Sequence, residues 1–410
     1  MNNPVNRVCG ESIQLNRVYI GVAKEQNNTF LFHVKPCCNL HIFVDLNANS
    51  FVENFTKKEV VIMTFHTFEV STCLTGTQYH TVNNSFKKYG HLYYKDSEIE
   101  NRKIFEGLRN NGIIVYLYKR DMDDMRFVYH LSYRVNPTRM FDSDDYVNLF
   151  HANHVGAMIE QFDKVVSGCS PALPRFNECS LARFDFCSNV ILPDAESVKA
   201  FIKLINQSAI PCDRYKQKMK RDTRAGRYVF PKEEATFKHE DYVEISFYNK
   251  IHQLESERLT LDWHTNILRC EVRCYKMYIN TLMRKFEIKT AEEFLYYLPE
   301  IGTYVFSMQF KNLNLSYSWY RLREIEKTVD SSPLKNKWKK RLKNFAQSAA
   351  THKGIQNIND TDDLLHAGKS IKKLAGMNIC AMPLPCRCPI ESGTSLLDLC
   401  LEYADAKGVN

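Results

Sequence analysis

Asp241–Ser256 reads DYVEISFYNKIHQLES, and its first half alternates with a period of two. Val243, Ile245 and Phe247 fall on one side, and Glu244, Ser246, Tyr248 and Lys250 on the other. Side chains of a strand point alternately to opposite faces, so this pattern predicts a strand with one packed face and one polar face. Two further stretches read the same way. In RFDFCSN, Phe184 and Phe186 share a face opposite Arg183, Asp185 and Cys187. In ILRCEVRC, Leu268, Cys270 and Val272 oppose Arg269, Glu271 and Arg273.

Strands that alternate in this way suit an antiparallel or mixed sheet with one covered face. A doubly wound parallel sheet requires near-continuous apolar strands. The expected fold class is therefore α+β, a mainly antiparallel sheet with helices on one face. Further strand-like runs are RVYIGVA, TFLFHV, LHIFVDL, VVIMTFHTFEV, GIIVYLY and RFVYHLSYRV. Helices are expected at SEIENRKIFEGLRNNG, closed by Gly112, and at DDYVNLFHANHVGAMIEQFDKVVSG. Another is expected at AESVKAFIKLINQ behind an Asp194 cap. Thr290 and Glu293 form a capping box in front of AEEFLYYL. Past residue 313 the chain turns to basic helices and a loop-rich tail, so three regions are expected: a strand-rich extension at 1–58, a central domain at 59–312 and a basic helical region at 313–410.

The 410 residues are 44% hydrophobic and 25% charged, an ordinary composition for a chain with a substantial core. The formal net charge of +8 suits a polyanion only where it is clustered. The first residues show no basic stretch followed by an apolar run, and no apolar run is long enough to cross a bilayer. A cytoplasmic protein without membrane contact is expected, its fourteen cysteines mostly buried thiols.

If the three strands lie side by side, Asp185, Glu271, Tyr248, Lys250, Arg183, Arg269 and Arg273 share one surface. Two carboxylates can hold Mg2+ or Mn2+ through oxygen. A phenol can attack a phosphodiester when a cation lowers the cost of its ionised form. The same alternation also arises from plain cross-strand ion pairing, and tyrosine is a favoured strand residue.

In this order and spacing, LARFDFCSN, VEISFYNKIHQL and NILRCEVRCYKMYINTL resemble the gene II replication initiators of filamentous phages and related rolling-circle Rep proteins. The resemblance covers roughly residues 59–300. It implies a nicking and joining enzyme in a bacterial host that opens origin DNA through a tyrosine, leaving a 5′-phosphotyrosine and a free 3′-OH. It further implies Tyr248 as nucleophile, Lys250 as its electrostatic partner, Asp185 and Glu271 as metal ligands, and a host helicase and polymerase as partners. His130, on the strand FVYHLSYRV, is a candidate additional ligand or an ordinary strand residue. The chain lacks the His-hydrophobic-His pair of many such initiators, so carboxylates would supply most metal ligands. A relaxase of a mobile element and a DNA-binding regulator that cuts nothing are the alternatives.

Two basic stretches are candidates for holding DNA. CDRYKQKMKRDTRAGRYVF carries Lys218, Lys220, Arg221 and Arg224 with tyrosines interleaved, which suits phosphates and unpaired bases, or else a solvated hairpin. SPLKNKWKKRLKNFAQ puts Leu334, Trp338, Leu342 and Phe345 on one helical stripe and Lys337, Lys339, Lys340 and Arg341 around the rest. Arg183, Arg269 and Arg273 can contact phosphates or anchor the carboxylates. Cys380, Cys386 and Cys388, with His366 or Cys400, match no regular zinc spacing.

Overall fold

The computed structural model describes the backbone of residues 13–15, 18–24, 29–35, 40–45 and 64–406, except 90–91, 98–99, 122–126, 143–146, 211–214, 223–226, 258, 260–265, 359–360 and 387. Side chains are described from Thr64 onward, outside those breaks and some residues beside them. The chain divides into two compact units, Met1–Val60 and Val61–Asn410. In the first, β1 (Ile13–Leu15), β2 (Val18–Lys24), β3 (Thr29–Lys35) and β4 (Leu40–Asp45) form an antiparallel sheet in that order.

The second unit is built on one large antiparallel sheet. Its strands are β5 (Thr64–Leu74), β6 (Leu92–Ser97), β7 (Glu100–Phe105), β8 (Ile113–Asp121), β9 (Phe127–Val135), β10 (Phe150–His151) and β11 (Ser180–Leu192). Beyond these come β12 (Lys216–Gln217), β15 (Glu234–His239), β16 (Val243–Asn249) and β17 (Asn266–Tyr275), with β13 (Lys220–Asp222) and β14 (Arg227–Val229) as a separate hairpin. The order across the sheet is β12-β15-β16-β17-β11-β5-β9-β8-β7-β6, and β10 pairs with β5. The three strands read first in the sequence are thus neighbours, β17 lying between β16 and β11.

The apolar rows form the core. Phe184, Phe186, Val243, Ile245, Phe247, Leu268, Cys270 and Val272 are all fully buried. Helices Ala195–Ser208, Lys276–Lys285 and Leu396–Ala406 pack against this part of the sheet. The first is capped as expected, the Ser197 amide donating to Asp194 Oδ1 at 2.6 Å. The Thr290–Glu293 capping box is also present.

Two helix expectations are corrected. The stretch from Glu100 to Phe105 is strand β7, followed by a single 3-10 turn at Arg109–Asn111 that Gly112 closes at φ 71°. Its charges read as a helix, but β6 and β8 flank it on both sides and pair its whole length. The expected helix from 144 starts only at Val155, because Phe150–His151 pairs with β5.

Residues past 313 share the sheet's core instead of standing apart from it. Trp319, Leu342 and Phe345 are buried in the same apolar cluster as Phe184. Ser188 Oγ donates to the Cys400 carbonyl at 2.6 Å. No helix among the described residues is long and apolar enough to cross a membrane, and the described cysteines are free thiols.

Trp319 stacks edge-on against Phe201 and donates its indole N–H to Ser208 Oγ at 3.0 Å. Trp319→Ala should cost about 3–5 kcal/mol. In urea denaturation the sheet and the 313–406 helices should then melt earlier and together. An unchanged midpoint would put those helices outside the cooperative core.

Candidate functional site

Antiparallel register decides which polar residues meet. Glu244, Arg273, Asp185 and Thr67 lie directly opposite one another across β16, β17, β11 and β5. The next row is Ser246, Glu271 and Cys187, and the next Tyr248, Arg269 and Asn189. The burial of β16 alternates as the sequence predicts, with Glu244, Ser246 and Tyr248 half-buried on the polar face.

Ion pairs knit this face into a chain. Arg134 Nε donates to Glu69 Oε1 at 2.6 Å, and Arg183 lies 3.6 Å from the same carboxylate. Arg183 also grips Asp185 with two bonds, at 2.9 and 2.5 Å. Arg273 reaches Asp185 at 3.4 Å, Glu244 at 2.8 Å and Glu271 at 2.6 Å. Tyr248 Oη donates to the other Glu271 oxygen at 3.1 Å. Burial, and then the nearby Glu271 charge, raise the proton affinity of Asp185 against the pull of Arg183 and Arg273. Burial also lowers the basicity of Arg273, but Asp185, Glu271 and Glu244 outweigh it and hold the guanidinium charged. Burial and then Glu271 keep the Tyr248 phenol neutral, well above the ordinary tyrosine range.

Beside this chain opens a cleft of about 810 Å³. Tyr248, Asp185, Glu271, Arg183 and Arg273 line it, together with Lys218 and Lys220. Both lysines are largely exposed and pair with Glu234 across the cleft wall, at 3.2 and 3.6 Å. The basic stretch between the first two motifs is therefore a hairpin beside the phenol. Arg224 and the side chain of Arg221 lie outside the described residues.

Three expected residues sit elsewhere. Asn249 caps a helix, accepting from the His252 amide at 3.1 Å, so the strand ends there and Lys250 starts Lys250–Ser256. Its ammonium is buried, donates to Gln253 Oε1 at 3.1 Å, and is pulled down to about 7 by burial and then by Arg269. Lys250 thus belongs to the helix and not to the strand that carries the phenol. Arg269 is fully buried, donating to Asn189 Oδ1 at 2.8 Å and to the Val147 carbonyl. A side chain without solvent access does not reach a phosphate, so Arg269 supports the floor of the site. His130 pairs across the sheet with Cys73 and Tyr118, four residues along β9 from Arg134. That is roughly 13 Å at strand rise, and it removes His130 from the carboxylates.

Two histidines do line the cleft, His252 on the helix after Asn249 and His66 on β5. Asn136 Nδ2 lies 3.4 Å from His66 Nε2 and Thr67 Oγ1 3.1 Å from its Nδ1. Burial, and then Arg269, Lys250, Arg183 and Arg273, keep the ring neutral. Register shifts between β5 and β11 break the alternation here, so that His66 and Thr67 both face the cleft. The sequence signal was a histidine and a glutamate, the two residues with ionisable polar groups between the apolar Phe65, Phe68 and Val70 of that strand.

Two neighbouring carboxylates, Asp185 with its proton affinity raised by burial and by Glu271, beside a neutral imidazole, fit in type a hard divalent cation. Arg273 and Arg183 hold these acids in the protein alone, so a cation would take the place of the Arg273 guanidinium. No group of three or more metal-ligating side chains is assembled among the described residues. The tail cysteines do not converge either: Cys380 is buried and Cys386 exposed.

On the helix Asn336–Thr351, Leu342 and Phe345 are buried and Lys337 and Lys340 exposed. Lys339 donates to the Asp330 carbonyl at 2.6 Å, and Arg341 lies over the Trp338 ring. Half of that basic set is thus engaged within the protein. No protein-family model and no curated protein matches the sequence.

Lys250 binds its proton less tightly folded than unfolded. Stability should therefore rise as the pH climbs from about 7 toward the ordinary lysine range. In Lys250→Met that rise should vanish, read as urea midpoints between about pH 7 and pH 9. Parallel pH profiles for the two proteins would mean that the ammonium is not held in a poorly solvated site.

Proposed function

We propose that the protein is a tyrosine-dependent DNA nickase and strand transferase that initiates rolling-circle replication. The observation that carries this reading is the Tyr248 hydroxyl, 3.1 Å from Glu271 in an open cleft that also holds Asp185 and six lysine and arginine side chains. A phenol, a carboxylate that accepts its hydrogen bond and a cation-lined hollow are the parts phosphoryl transfer from DNA to protein requires.

The chemistry follows from that pairing. As the phosphorus approaches, the Tyr248 proton passes along the existing hydrogen bond to Glu271, which acts as general base. The Oη–P bond forms, the P–O3′ bond breaks, and the departing 3′-oxygen takes a proton to leave a free hydroxyl. The 5′-phosphotyrosine conserves the bond, so a 3′-hydroxyl can later attack it and Glu271 can return the proton to the leaving phenol. Arg273 and Arg183 are placed to balance the charge of the acids as Glu271 changes protonation. Mg2+ or Mn2+ held by Asp185 and Glu271, with His66 beside them, would supply Lewis-acid neutralisation of the phosphate. Lys218 and Lys220 would hold the strand on the opposite wall. Origin DNA is the proposed substrate, and a host helicase and polymerase the proposed partners that use the free 3′-OH.

One observation favours a second reading, a DNA-binding regulator that cuts nothing. Arg183 and Arg273 occupy Asp185, Arg273 and Tyr248 occupy Glu271, and the phenol is held neutral. Supercoiled DNA carrying the cognate origin, incubated with Mg2+, separates the two. The nickase produces open circles and a protein–DNA adduct that survives boiling. Tyr248→Phe should abolish both products and keep DNA affinity within about twofold, since one hydroxyl already bonded to Glu271 within the protein is worth little to binding. Wild-type binding without open circles or adduct would leave the regulator.

Glu271→Gln keeps the hydrogen-bonding shape and removes the base. Nicking should fall by about 100-fold or more with binding retained. An unchanged rate would assign the proton to another group.

A further inference from the structure

A second hollow of about 430 Å³ lies on the other side of the segment that walls the cleft. Pro231 and Lys232 line both cavities, so this short segment is a ridge between them. One wall of the hollow is the face of helix Ala195–Ser208 that carries Lys199, Lys203 and Gln207. The opposite wall is Phe230 with Pro231, and the turn at Lys353 and Gly354 closes the end.

The charges there differ from those in the cleft. Lys218 and Lys220 are paired with Glu234, and Lys199 pairs with Glu196 at 2.9 Å. Lys203, Lys232 and Lys353 are exposed and have no acidic partner among the described residues. Three uncompensated ammonium groups thus ring a hollow whose surface is mostly apolar, formed by Phe230, Pro231 and lysine stems. Ammonium groups that have no ion-pair partner are free to take an anion. An apolar slot with an aromatic wall takes a flat ring. One ligand brings both together: an unstacked nucleotide with its flanking phosphates.

The turn that closes the hollow is held in an unusual shape. Lys353 has φ 54° and Gly354 φ 152°. A side chain at Gly354 would meet Asn357 at 3.2 Å and the helix backbone at Gln207 at 3.7 Å. The backbone conformation that aims Lys353 at the hollow therefore depends on glycine at 354.

We propose that this hollow is a second single-stranded DNA subsite, which takes one base against Phe230 and its phosphates on Lys203, Lys232 and Lys353, beyond the ridge from Tyr248. The strand would run from the cleft over Pro231–Lys232 into the hollow. This fixes the scissile phosphate relative to a held base. The proposal rests on the nicking reading for its substrate, but the site itself is a binding site and is tested by binding alone.

The experiment uses the full chain carrying Tyr248→Phe, so that no cleavage intervenes, and a fluorescein-labelled single-stranded oligonucleotide of origin sequence. Anisotropy titrations across a salt series compare it with three further variants. Lys203→Ala/Lys353→Ala should weaken binding about tenfold at low salt and flatten the salt slope by roughly 1.4, about 0.7 for each lost contact. Phe230→Ala should weaken binding about fivefold or more, with the salt slope kept. Lys218→Ala/Lys220→Ala reports on the cleft separately. If the cleft pair alone loses affinity, the hollow is not a DNA subsite while the reading of Tyr248 survives. If the two hollow variants bind as tightly as the parent at every salt concentration, the proposal is overturned. Loss of nicking in an otherwise wild-type Phe230→Ala protein, at saturating DNA, would add that the held base positions the scissile phosphate.

Discussion

Arg273 is held by three carboxylates at once, Asp185 on one neighbouring strand, Glu244 on the other and Glu271 two residues before it. Three acids on adjacent strands of a half-buried sheet face would repel one another and raise each other's proton affinity. One guanidinium with donors in a fixed fork satisfies all three. The polar face of the sheet can exist beside a packed core because of this arrangement. Removing a partner from such a group leaves an uncompensated charge, an effect far larger than that of an exposed ion pair. The chain from Arg134 through Glu69, Arg183, Asp185 and Arg273 to Glu271 also ends on the phenol, so the placement of Tyr248 depends on it.

The same packing also sets which groups of the site carry charge. Lys250 and Arg269 are buried, and their charges help keep His66 neutral. Tyr248 itself is neutral because burial and Glu271 disfavour its anion. A phosphate entering the cleft would bring negative charge to a face where Arg273 and Arg183 are already committed to carboxylates. The proton on Glu271 after attack would free part of that commitment. In the proposed nicking reaction, charge would move along the chain of pairs without any group leaving its strand.

Legibility followed the range of the interaction. The alternation of β11, β16 and β17 was readable residue by residue because a strand repeats every two positions. The Asp194 cap and the Thr290–Glu293 box were readable because their bonds span three residues. Lys250 was misread because Asn249 ends the strand by capping a helix, and Tyr-x-Lys parity stops there. β7 was misread because charges spaced like a helix became a strand only between two partners. His66 was passed over because a register shift, invisible in one strand alone, turns it toward the cleft.

The chain by itself determined that three polar-faced strands exist, which residues each carries on that face, and that two basic stretches accompany them. These are local properties of backbone periodicity and composition. Only the tertiary structure decided that β17 lies between β11 and β16, that Arg273 rather than free solvent meets the acids, that Arg269 is fully buried, and that His66 and not His130 lines the cleft. Those outcomes depend on strand order, register and burial. They are set by contacts between residues far apart in the chain, for which no short-range pattern carries a signal.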